Sequence, residues 1–485
     1  MAGFVDNVIK VSTGNIVALA ISLLSLPLIT RLYTPEHYGV LLIVNSFVAT
    51  IVPTAALGYE KALLMPRQNG TVSNVFVISI ITVAIVSIMA GGGIFLTLGQ
   101  LNSLLGLPKD ALYVMFIPVG IFLFGIHRVM EFWAIRASRF TEQAISRVCV
   151  SVFDRGTAIL GGCLNANALW LLTARLAGAI GGIIAIQRAL KSDSGLAFNF
   201  SAVTVKRLHI VISRYLGFVL SAFATFLNGF ARELPPLLLA SLYSPVSAGF
   251  YGLARVTIGM PFFQVSDSIS AAFFHKVASL HLKREDVVGP TLKLLRFQML
   301  IAICPLAVLI VTGDVLTPYL FGQQWAAAGK YAQVLGIVFF IAYLYRPVSV
   351  FLDIFEYQRA RLVINILLIA VSAASLYAGK EMGGELLALE VFGAAVACAY
   401  LSAIHYILKR IGASSLPFFW LSLKLVVLAV LFILPLLMLR VLAEPGPLAI
   451  VFVVLVTLVA YATFLFMFEP EIKVRIRQRF GINVG

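Results

Sequence analysis

Six basic and five acidic side chains fall inside stretches apolar enough to cross a bilayer. The basic ones are Arg155, Arg175, Arg232, Arg255, Arg346 and Lys424, and the acidic ones Asp154, Glu233, Asp267, Asp314 and Glu390. A charge at mid-bilayer costs about 3 kcal/mol or more, so such residues line a substrate or ion path or pair with one another. Arginine stays protonated and offers a planar fork that matches phosphate oxygens. An excess of guanidinium groups therefore suits a diphosphate or an acidic sugar, and the candidate anion-binding set is Arg232, Arg255, Arg175, Arg155 and Arg346.

Each of these has a second reading. Asp154-Arg155 and Arg232-Glu233 are sequence neighbours whose side chains diverge by about 100° around a helix, so each is equally suited to an interhelical pair that serves packing. Arg155 and Arg346 also suit a guanidinium that reaches toward a membrane interface. Asp267 stands among Gln264, Ser266, Ser268 and Ser270, and positions 264, 267, 268 and 271 share one face, a polar stripe turned toward something wet. Asp267 is the first candidate for an ion-coupling carboxylate and Glu233 the second, the ion being a proton or sodium. Glu60 and Lys61 read as a local salt bridge.

The elements that must hold these charges are membrane helices. Of 485 residues, 61% are hydrophobic and 12% charged, against about 25% charged in soluble proteins. Spans of suitable length are expected at 11–30, 39–58, 73–100, 111–127, 148–164, 168–187, 211–240, 249–272, 297–320, 331–351, 363–379, 386–408, 417–439 and 448–468. The fold class is an all-α polytopic membrane protein with about 14 transmembrane helices. The first apolar stretch is long and lacks a small-residue cleavage site after it, so it reads as a helix and not as a signal peptide. Alternate loops carry 25 against 5 of the Lys and Arg residues, a bias that places both termini in the cytoplasm.

Other classes fit poorly. The net charge of +15 sits in short clusters between spans, which argues against nucleic acid as a partner. Cys149, Cys163, Cys304 and Cys398 form no CxxC pair, so neither a metal nor a disulfide framework is expected. No P-loop occurs, so ATP is not bound in that way and no cofactor is expected. The outer loops are short and carry no D-x-D or His cluster, so an enzyme is not expected.

A repeat organises the spans. Leu32-Tyr33-Thr34-Pro35 followed by Gly39 recurs as Leu242-Tyr243-Ser244-Pro245 followed by Gly249, at an offset of 210. Six spans separate the copies, so both run in the same direction across the membrane. Two parallel six-helix lobes are expected, 1–190 and 211–410, joined by a cytoplasmic linker at 191–210. Two further helices come next in 411–468, and then a basic cytoplasmic tail at 469–485. In parallel-repeat transporters the substrate site lies between the lobes near the midplane. Pro235-Pro236, beside Arg232 and Glu233, is expected to break its helix and open backbone groups to the same cavity.

The stretch from Pro27 through Arg31 to Gly39, continued by Gly58-Tyr59-Glu60-Lys61-Ala62-Leu63-Leu64-Met65-Pro66, resembles the amino-terminal signature of bacterial polysaccharide flippases. These are the Wzx-type, O-antigen translocase branch of the multidrug/oligosaccharidyl-lipid/polysaccharide exporter superfamily. The resemblance implies flipping of an undecaprenyl-diphosphate-linked oligosaccharide repeat unit, a step of lipopolysaccharide assembly, from the cytoplasmic to the periplasmic leaflet of the inner membrane. Alternating access of the two lobes would carry it, beside membrane lipids and glycan polymerase or assembly proteins. The competing expectation is a cation-coupled drug or metabolite antiporter of the related multidrug branch, which needs a carboxylate-rich cavity. Six intramembrane basic residues against five acidic ones tilt toward the flippase.

Overall fold

The computed structural model describes residues 2–66, 69–108, 111–191, 203–414, 416–442 and 446–468. The basic tail at 469–485 and residues 192–202 of the expected linker lie outside them. Among the described residues the chain is helical and contains no strand.

The helices are α1 (Ala2–Leu32), α2 (Pro35–Ile51), α3 (Tyr59–Ala62), α4 (Asn69–Leu105), α5 (Ala111–Arg136), α6 (Phe140–Asn165), α7 (Ala168–Lys191), α8 (Val205–Arg214) and α9 (Leu216–Leu242). They continue as α10 (Pro245–Ala254), α11 (Met260–Lys283), α12 (Val288–Phe321), α13 (Ala326–Val348), α14 (Val350–Ile354), α15 (Gln358–Gly383), α16 (Glu385–Arg410), α17 (Leu416–Leu442) and α18 (Pro447–Phe468). Thirteen of the fourteen expected spans fall on one of these helices or on a consecutive run of them; the second, 39–58, outruns α2, which gives way to a 3-10 turn at Val52–Thr54 and then to an irregular turn. Eleven are long and apolar enough to cross a bilayer by themselves, or twelve if α8 and α9 form one broken span. The two expected spans that miss this test lie on α6 and on α10–α11, which carry Asp154, Arg155, Arg255 and Asp267.

Helix ends obey their punctuation. Thr34 caps α2 by accepting from the His37 N–H at 3.3 Å, with Pro35 in the first turn. Ser244 does the same for α10, accepting from Ser247 N–H at 3.3 Å. Proline at the first turn costs no hydrogen bond, and the hydroxyl satisfies an orphan donor. Asn167 starts α7 by accepting from Trp170 N–H at 3.2 Å.

The chain divides into two compact units, Met1–Leu253 with Leu362–Ala388, and Ala254–Arg361 with Leu389–Gly485. In the first, α6 packs against α1 and α7, α4 against α5, and α2 against α9. Glycines permit the closest of these approaches: a Cβ on Gly178 would lie 2.8 Å from the Val150 carbonyl and 3.1 Å from Asp154 Cβ. In the second, α12 packs against α13, α17 and α18. The Asp314 carboxylate on α12 pairs with Arg440 on α17.

One local expectation is corrected. α9 runs unbroken through Pro235 and Pro236. A proline removes one N–H without forcing the helix to end, so the Ala231 and Arg232 carbonyls lose their donors while the path continues. The irregularity lies instead at Arg255–Gly259, a single π-helical turn between α10 and α11 in which Met260 N–H bonds the Arg255 carbonyl. Pro261 comes immediately after and offers no hydrogen to the Thr257 carbonyl, so the α register cannot be kept there.

Candidate functional site

In the first unit the charges converge on α7. The Arg175 guanidinium donates to Asp154 Oδ2 on α6 at 3.0 Å and to Asn45 Oδ1 on α2 at 2.9 Å. Its carbon lies 5.5 Å from the centre of the Phe124 ring on α5. The glycine-mediated approach of α6 and α7 makes this possible, because Gly178 is one turn from Arg175 and admits the backbone beside Asp154. Arg175 and Asn45 are the polar edge of a small cleft whose other walls include Phe116, Phe124 and Leu172. Arg155 stands behind the pair, its Nε 4.0 Å from Asp154 Oδ2 and without a hydrogen-bond partner. The buried Tyr38 side chain of α2 lies within reach of these charges.

On α9, Arg232 Nε lies 3.5 Å from Glu233 Oε1; the arginine side chain is 44% exposed and the glutamate 1%. The neighbours thus meet each other, despite the divergence of their Cα–Cβ bonds.

In the second unit Arg255 opens the π turn, half-buried. Arg346 at the end of α13 pairs with Asp267 of α11, and its guanidinium carbon sits 4.2 Å from the centre of the Phe263 ring. Phe263 and Asp267 are four residues apart, on one face of α11. On α11 Asp267 is exposed with Ser268 on the same face, whereas Ser266, off that face, is buried and donates to the Tyr343 carbonyl at 2.7 Å. Gln298 Nε2 donates to the same carbonyl at 3.0 Å. Pro347 explains why that carbonyl is free, since it supplies no N–H four residues on.

Several polar partners were hidden in the sequence. Glu60 is fully buried and faces Arg128 Nε at 3.5 Å, so its cation is Arg128 and not Lys61. Arg147 bridges Glu131, at 2.9 Å, and Asn15. His127 Nε2 lies 2.8 Å from Ser146 Oγ. Arg128, Glu131 and Arg147 were expected in a loop but lie on α5 and α6, which extend beyond the apolar windows until only residues 137–139 separate them. The available signal was the helical spacing of 128, 131 and 135 with the apolar run before them.

Comparison with known proteins fits this architecture. The chain's residues 28–330 match the model of the family described as polysaccharide biosynthesis protein. Its fold is similar to the lipid II flippase MurJ in an inward closed conformation, with TM-score 0.68 and 10% identity over 96% of this chain and 99% of that one. It is also similar to a multidrug resistance MATE family transporter in an inward-facing conformation, with TM-score 0.66 and 15% identity over 83% of this chain and 94% of that one. A third similar structure is a transporter from Pyrococcus furiosus described by the reverse polarity of its binding pocket, with TM-score 0.56 and 13% identity over 84% and 95%. No curated protein sequence matches significantly. At these identities the likeness is one of fold, an all-α polytopic membrane architecture. By its sequence, the chain belongs to the polysaccharide biosynthesis protein family.

Proposed function

We propose that this chain is a flippase that moves an undecaprenyl-diphosphate-linked oligosaccharide repeat unit from the cytoplasmic to the periplasmic leaflet. The observation that carries the proposal is Arg175, whose fork is shared between Asn45 and Asp154 at the edge of an apolar cleft. A guanidinium held in this way can exchange its carboxylate for a phosphate without moving far, and the apolar wall tolerates the prenyl-linked end of the cargo. Arg155 and Arg232 in the first unit, and Arg255 and Arg346 in the second, are the further candidates for binding the anion, and Asp267 and Glu233 the candidates for proton or sodium coupling. Alternating access of the lobes 1–190 and 211–410 would carry the cargo, with both termini in the cytoplasm of a bacterial inner membrane and a glycan polymerase receiving the product.

The test is neutralisation. Arg232→Ala and Arg255→Ala should each lower transfer of the lipid-linked glycan at least tenfold while the protein remains inserted and monodisperse. Normal surface polysaccharide in cells carrying both substitutions would remove those arginines from the mechanism.

One observation favours the antiporter. The most buried charges among the described residues are the carboxylates Glu60, Glu233 and Asp154. Each has a guanidinium within 4.0 Å, so they read here as counter-ions that keep the arginines in place. Export of a cationic dye that Asp154→Asn and Glu233→Gln abolish would establish the antiporter instead.

A further inference from the structure

The two copies of the repeat motif meet each other. A Cβ on Gly39 would lie 1.7 Å from the Pro245 carbonyl oxygen, and a Cβ on Gly249 would lie 2.1 Å from the Pro35 carbonyl oxygen. The first glycine of α2 thus faces the first proline of α10, and the reverse holds with the same atoms. In each case the Cα–H that replaces the missing side chain points at the opposing carbonyl, a contact that recurs where helices approach closely. One turn further in, a Cβ on Gly252 would lie 2.9 Å from Leu42 Cδ2 and 3.2 Å from Tyr38 Cε1. Gly106, at the end of α4, rests on Pro245 with a φ of +60°.

We infer that the paired motifs form a reciprocal glycine latch that seals the periplasmic end of α2 and α10 and must part each time the transporter opens outward. The inference rests on the alternating-access reading above. Three observations support a seal over ordinary packing. The contact is two-fold related, so one motion breaks both halves together. It is backbone on backbone, so no side chain can give way to accommodate a larger residue. It also leads to the charged cluster, because Tyr38, next to Gly39, packs toward Gly252 on one side and lies within reach of the Asp154, Arg155 and Arg175 charges on the other.

The test uses the full-length chain with Cys149, Cys163, Cys304 and Cys398 replaced by Ala and Leu42→Cys added as a reporter. Intact cells are exposed to a membrane-impermeant maleimide. Labelling at position 42 should be slow with glycine at 39 and 249, and should rise about tenfold with Gly39→Val or Gly249→Val. Gly92→Val, a site with nothing within 4 Å of the added Cβ, should leave it unchanged. Equal labelling in the latch variants and the parent, with all proteins monodisperse, overturns the proposal. Should the valines prevent folding, Gly39→Ala and oxidative linking of Leu42→Cys with Gly252→Cys take their place. The linked protein should lose transport and regain it on reduction; transport that persists while linked overturns the latch. Labelling does not depend on the cargo, so failure of the flippase assignment leaves the latch testable, and failure of the latch leaves that assignment standing.

Discussion

At the scale of single residues, the two best-defined arginines share one arrangement and differ in burial. Arg175 and Arg346 are each held by an aspartate of a neighbouring helix and laid against a phenylalanine. Asp154 is nearly buried, whereas Asp267 is 62% exposed. Stripping a buried carboxylate of its cation costs about 3–5 kcal/mol, and the one-third exposure of Arg175 lowers that to roughly 1–3 kcal/mol for Arg175→Ala. Thermal unfolding in detergent should show this loss, and Arg175→Met with Asp154→Leu should recover most of it. Arg346→Ala should cost no more than about 1 kcal/mol, as exposed pairs do. Arg175, Arg346, Asp154 and Asp267 were legible from composition alone, because a charge in an apolar window is conspicuous. Their partners were not. Asn45 lies 130 positions from Arg175, and Lys61, the neighbour expected to pair with Glu60, loses to Arg128 on another helix.

At the scale of elements, the spans were visible through their apolar length, while their ends and internal register were hidden. α5 and α6 run past their apolar windows because backbone hydrogen bonding continues where hydropathy falls. The π turn at Arg255–Gly259 adds a residue and rotates the succeeding helix by about 100°. A face counted along α10 therefore does not carry over to α11, where Ser266 turns inward to the carbonyl that Pro347 frees. Pro261→Ala restores a donor to the Thr257 carbonyl and should convert the π turn to α-helix, swinging Asp267 away from Arg346. A double-mutant cycle of Arg346→Ala and Asp267→Ala on thermal unfolding, which should show coupling in the parent, should then show none. Ser266→Ala removes one of two donors to the Tyr343 carbonyl and should destabilise by about 1 kcal/mol.

At the scale of the whole molecule, a repeat 210 residues apart pointed to internal duplication, and the structure adds that the two copies touch. Spacing gives no hint of that contact, which needs both chain segments at once. The length of α4 has a further consequence. Its candidate span, Gly70–Leu105, has 36 residues, about 54 Å of helix at 1.5 Å per residue. A hydrocarbon core is about 30 Å thick, and matching it by tilt alone would require more than the roughly 40° that membrane helices reach. Ile88, Met89, Phe95 and Leu96 remain exposed along this helix, so its excess apolar surface either thickens the surrounding lipid or is left in the headgroup layer. Hydrophobic mismatch then becomes a property of this protein. In vesicles of phosphatidylcholines with increasing chain length, its unfolding temperature should climb toward the longer acyl chains and fall in thin bilayers.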